Sequence, residues 1–60
     1  MSTLARAAQT LRVARESLDT AMETARTAAL DALARGATEV EVAKSLGVNR
    51  MTVRRWGGKL

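Results

Sequence analysis

Leucine and alanine recur with heptad spacing along the first half of the chain. Leu4, Leu11 and Leu18 repeat every seven residues with Ala25 continuing the series, and Ala7, Ala14, Ala21 and Ala28 fill the positions three residues on. A stripe of this kind predicts a helix that pairs with another helix, and leucine alternating with alanine lets the two approach closely. No glycine or proline interrupts the first 35 residues, which are rich in alanine, leucine and arginine, all good helix formers. The pattern predicts one helix from about Thr3 to Arg35, ended by Gly36. A helical hairpin broken near Asp19 is the alternative, because Thr20 and Glu23 have the spacing of a capping box. Past Ala29 the apolar positions read as changing side, with Leu30 and Leu33 opposite Leu11 and Leu18. On this reading the last third of the helix packs Leu30 and Leu33 against a downstream core of Val42, Leu46, Val53 and Trp56. Arg12 with Glu16, Arg15 with Asp19 and Asp31 with Arg35 are spaced as i,i+4 ion pairs on exposed faces.

The segment Thr38–Leu60 (TEVEVAKSLGVNRMTVRRWGGKL) carries a different pattern. Thr38 followed three residues later by Glu41 is a capping box, so a helix begins at Glu39. Val42, Ala43 and Leu46 share one side of it, while Glu41, Lys44 and Ser45 point the other way. Gly47 is placed to end this helix in a left-handed turn, a conformation that costs other residues roughly 1–2 kcal/mol. Asn49 then caps a second short helix, from about Arg50 to Trp56, with Val53 and Trp56 on its inner face and Val48 packing just before it. Arg50, Met51, Arg54 and Arg55 are left facing outward. Two helices joined by a tight glycine-containing turn make a helix-turn-helix. The expected fold is therefore all-α, with three helices: a long N-terminal one followed by the helix-turn-helix. Residues 1–28 form the pairing part and residues 29–60 the helix-turn-helix domain.

With its small residue Ala43, its turn glycine Gly47 and its apolar positions Val42, Leu46, Val48, Val53 and Trp56, the segment resembles the helix-turn-helix superfamily of prokaryotic and phage DNA-binding proteins. The run ALARGATEVEVAKSLGVNRMTVRRW is also similar to the DNA-binding tail of serine recombinases and to small phage repressors. The resemblance implies that the second short helix, Asn49 to Trp56, is a recognition helix. A recombinase needs a catalytic domain with a serine nucleophile, and 60 residues leave no room for one.

The charge distribution points the same way. The formal net charge of +4 is divided unevenly between the two parts. Five arginines in residues 1–36 nearly balance Glu16, Asp19, Glu23 and Asp31, whereas Lys44, Arg50, Arg54, Arg55 and Lys59 outweigh Glu39 and Glu41 in the remainder. A positive excess over the helix-turn-helix fits a polyanionic partner. A chain of this length buries only about 60% of its unfolded surface. It contains no cysteine or histidine for disulfides or a structural zinc, so self-association is the expected stabiliser. No apolar run approaches the roughly 18 residues of a membrane span, and the N-terminus lacks a signal-peptide core, so a cytoplasmic, nucleoid-associated location is expected.

Enzyme chemistry finds no support. Histidine, cysteine and tyrosine are all absent, so Ser2, Ser17 and Ser45 have no histidine to activate them. No glycine-rich phosphate loop is present, and neither a metal, a cofactor nor a small-molecule substrate is expected. The function expected is sequence-specific binding of double-stranded DNA by a homodimeric transcriptional regulator, most simply a repressor from a phage, plasmid or bacterium. Asn49, Arg50, Met51, Arg54 and Arg55 are the candidate base contacts, since arginine pairs bidentately with guanine and methionine covers a thymine methyl. Thr38, Lys44, Thr52 and Lys59 are the candidate phosphate contacts. Leu4, Ala7, Leu11, Ala14, Leu18, Ala21 and Ala25 are the candidate dimer contacts. An antiparallel overlap from Leu4 to Ala25 is about 32 Å long at 1.5 Å per residue, close to the ~34–36 Å between successive major grooves; a parallel pair is the alternative. The competing function is an oligomerising adaptor, or a DNA-packaging protein resembling small terminase subunits, acting through protein contacts.

Overall fold

The computed structural model describes residues 2–58, which form three helices: α1 (Thr3–Ala34), α2 (Glu39–Leu46) and α3 (Arg50–Trp56). The described residues contain no strand, and the all-α class and element order are those expected.

Ser2 caps α1 from an extended backbone (φ −70°, ψ 159°) by accepting from the Ala5 amide at 3.0 Å. The helix then runs past Asp19 without a break. The hairpin alternative fails because Thr20 does not act as a cap: its hydroxyl donates to the Glu16 carbonyl at 3.1 Å, a bond made inside a continuing helix. Of the expected surface ion pairs, Asp31–Arg35 closes at 3.1 Å, whereas Arg12 turns to Gln9.

α1 and α2 end alike. Gly36 and Gly47 take positive φ, 102° and 69°. The amides of Gly36 and Ala37 turn back onto the carbonyls of Leu33 and Ala32 at 3.1 and 3.0 Å. Those of Gly47 and Val48 turn back onto Lys44 and Ala43 at 3.4 and 3.0 Å. These paired bonds are Schellman motifs, which satisfy the last carbonyls of each helix and fold the following residue inward. Ala37 and Val48, the residues so redirected, both pack on the core.

That core is Ala29 from α1, Val42 and Ala43 from α2, and Val53 from α3, which is 0% exposed. Ala32, Leu33 and Trp56 pack around it. Alanine at two of the four central positions lets the helices come close, because interhelical distance follows side-chain size at the contact.

The packing around the core departs from expectation on two counts. Leu46 is 37% exposed and sits at the margin of a groove between α1 and α2 that Ala28, Ala32 and Val42 also line. Second, α1 meets the core through Ala29, Ala32 and Leu33, while Leu30 is only half-buried and outside the core cluster. At about 100° per residue Ala29 follows Leu11 by five whole turns and so lies on the same side of the helix. The apolar stripe does not change side; α2 and α3 dock on its C-terminal continuation.

Everything from Ser2 to Thr24 is exposed, and Ala25 is the first residue of α1 to be partly covered. The molecule is accordingly elongated, 51 × 19 × 16 Å with a radius of gyration of 15.5 Å, against about 10 Å for a compact domain of this length. No helix among the described residues is long and apolar enough to cross a membrane.

Candidate nucleic-acid interface

Three local devices aim α3. The capping box at the start of α2 closes in both directions: Glu41 N–H donates to Thr38 Oγ1 at 3.1 Å, and Thr38 N–H donates to Glu41 Oε1 at 3.0 Å. Accepting the Thr38 amide, and next the Thr38 hydroxyl, holds the Glu41 carboxyl below its ordinary value of 4.5. The Schellman turn at Gly47 then reverses the chain, and Asn49 opens α3 by accepting from the Met51 amide at 2.7 Å.

With Val53 buried and Trp56 half-buried beside it, helical geometry fixes what α3 shows to solvent. At about 100° per residue, Met51 and Arg55 fall opposite the core, with Arg50 and Arg54 along one flank and Thr52 along the other. Exposure follows this order: Asn49, Arg50, Met51 and Arg55 are exposed, while Thr52 and Arg54 are half-buried. Arg54 therefore departs from the outward orientation expected of it. Its Nη1 lies 3.3 Å from Glu39 Oε1, an ion pair between the last turn of α3 and the first turn of α2. The partners are 15 residues apart in sequence. No local spacing marks the pair; only a short acidic turn at the start of α2 and a basic one at the end of α3 hint at it.

Of the candidate phosphate contacts, Lys44 is exposed on α2 and Thr38 is exposed at its cap. The Thr38 hydroxyl is engaged on both sides, its oxygen accepting from the Glu41 amide and its hydrogen shared with the Glu41 carboxyl. Thr52 is half-buried, and Lys59 lies outside the described residues. Among the described residues of α2 and α3, the positive surface thus comes from Arg50, Arg55 and Lys44, with Arg54 partly neutralised by Glu39.

Residues 20–56, more than half of the chain, match the family model of a homeodomain-like domain. The chain belongs to the homeodomain-like helix-turn-helix family. The homeodomain-like region opens within α1 and closes at the end of α3, so it comprises the C-terminal part of α1 together with both short helices. Membership indicates DNA binding, and domains of this kind are typically non-enzymatic. No curated protein and no solved structure matches the chain. Among the described residues no cluster of histidine, cysteine, aspartate or glutamate could hold a metal ion.

Proposed function

We propose that this protein is a sequence-specific double-stranded DNA-binding protein acting as a homodimeric transcriptional regulator, most simply a repressor in a phage, plasmid or bacterium. In this reading α3 enters the major groove, as the second helix of a helix-turn-helix does. Arg55 and Met51 lead from the centre of its outward face, and Arg50 and Asn49 read base edges beside them. Arg54 works from the flank, released from or shared with Glu39. Lys44, Thr38, Thr52 and Lys59 meet the phosphates, which position the domain without specifying sequence.

The observation that carries this reading is the anchoring of α3. Val53, fully enclosed, and the cap from Asn49 hold a short cationic helix rigidly enough that its exposed side chains reach a groove as one unit. Selection of bound sequences from a random duplex pool at physiological salt tests it. Recovery of a motif of two inverted half-sites is the expected result. Recovery of no motif transfers the weight to the adaptor reading, which draws its support from the uncovered apolar side of α1.

A further inference from the structure

We propose that the uncovered side of α1 is closed by α1 of a second copy running antiparallel, in the register that sets Leu4 opposite Ala21 of the second copy. This deepens the homodimer of the proposed function and rests on that reading for the identity of the partner. Direction and register come from the structure.

The direction follows from where α2 and α3 sit. Leu4, 80% exposed, and Leu18, 60% exposed, lie on the same side of α1 as Ala25, Ala29 and Leu33, and α2 and α3 occupy that side from Ala25 onward. A second α1 laid parallel and in register along Leu4, Leu11 and Leu18 would continue into the space that α2 and α3 fill. An antiparallel helix avoids the collision. Its N-terminal end points towards α2 and α3, and the helical path ends at Thr3, where Ser2 is extended.

The register follows from two conditions taken together. α1 is exposed only as far as Thr24, and of the antiparallel registers that pair a leucine with an alanine in every layer, the longest that stops short of half-covered Ala25 sets Thr3 of one copy opposite Met22 of the other. That same register places Leu4 opposite Ala21 of the second copy, Ala7 opposite Leu18 of the second copy, and Leu11 opposite Ala14 of the second copy. Every layer then holds one leucine and one alanine, so the seam has uniform width and the helix axes approach towards the ~8 Å end of the usual range. One heptad of slip in one direction drives the second helix into α2 and α3. One heptad in the other leaves Leu18 and Met22 bare.

Charge agrees. The positions flanking the seam are Thr3, Thr10, Ser17 and Thr24 on one side and Ala8, Arg15 and Met22 on the other. Arg15 faces Ala8 of the second copy, so no like charges meet across the seam. All four acids of α1, Glu16, Asp19, Glu23 and Asp31, lie off it. In this dimer the two DNA-binding units sit beyond the overlap, with their Ala29 residues about 50 Å apart along the rod at 1.5 Å per residue. The ~32 Å expected from the sequence measured the overlap and not the distance between the units.

Two measurements decide the proposal. Sedimentation equilibrium on the whole protein should give twice the 6.4 kDa chain mass at micromolar concentration. Leu11→Glu should raise the dimer dissociation constant roughly 100-fold by placing a charge in the seam. Leu11 is remote from the core, so Trp56 fluorescence should not change. Because the chain has no cysteine, mixing Leu4→Cys with Ala21→Cys chains under mild oxidation should give disulfide-linked heterodimers, while Leu4→Cys alone should not cross-link. A monomeric wild type, self-linking of Leu4→Cys, or a dimer in which the mixed pair fails to link would each overturn the proposal. The DNA reading is judged separately. A Leu11→Glu monomer that still selects a half-site preserves it, and a cross-linked dimer that selects no sequence removes it while leaving the pairing intact.

Discussion

Arg54 of α3 and Glu39 of α2 form an ion pair at 3.3 Å that ties the last helix to the helix beneath it. The pair is more enclosed than an ordinary surface bridge, so removing one partner costs more than the ~0–1 kcal/mol of an exposed pair, because it leaves a poorly solvated charge behind. Arg54→Ala is expected to lower stability by about 1–2 kcal/mol as well as weakening DNA binding. Arg55→Ala, at an exposed position, should leave the melting temperature unchanged. Thermal unfolding of the two variants side by side checks this; equal melting temperatures would show that the bridge adds nothing.

Arg50 and Arg55 are the exposed cations of α3. Replacing either with alanine should cost about 1–3 kcal/mol in binding to a selected site if it reads a base, with specificity relaxed at one base pair. A phosphate contact would instead weaken all sequences alike and lower the salt slope by about one. Titration of matched and mismatched duplexes at several salt concentrations separates the two. Unchanged affinity for every duplex would remove that arginine from the interface.

Gly47 ends α2 at φ 69°, with open space where a Cβ would project. The cost of Gly47→Ala is therefore conformational alone, about 1–2 kcal/mol. Gly57 makes the control: its φ is −80°, and a Cβ there meets only ordinary contacts, 3.6 Å from the Arg54 carbonyl. Chemical denaturation should show Gly47→Ala clearly destabilised and Gly57→Ala close to wild type.

Glu41 contributes a pH dependence whose sign is fixed by its hydrogen bonds. Its carboxyl is held below the ordinary 4.5 in the folded chain, by the Thr38 amide first and the Thr38 hydroxyl second. The stabilisation is therefore fully present above that value and is lost as pH falls through the lower folded-state pKa. Glu41→Gln keeps the geometry of the capping box but cannot titrate. Melting curves from neutral pH down into the acid range should show a shallower acid decline for Glu41→Gln than for wild type. Parallel declines would exclude the capping box as a source of the pH dependence.

What could be read in the sequence, and what could not, divides along a physical line. The Thr38–Glu41 box, the Asn49 cap and the helix endings at Gly36 and Gly47 were all legible, because each is made by residues within a few positions of one another. The core positions Val42, Ala43 and Val53 were legible too, since helical periodicity marks the side a short helix must bury. Leu46 is not legible in this way, because its place on α2 does not reveal whether α1 reaches far enough to cover it. Arg54 reads as wholly outward in the sequence because its partner Glu39 belongs to another helix.

The sequence by itself determined three helices, their caps, the tight turn and a cationic last helix, all consequences of backbone preference and short-range hydrogen bonding. Only the tertiary structure decided that α2 and α3 dock on the same side of α1 that carries Leu4, Leu11 and Leu18, and that Arg54 is drawn towards Glu39. Both outcomes depend on how closely helices built around Ala29 and Ala43 approach. That distance is set by packing among residues far apart in the chain.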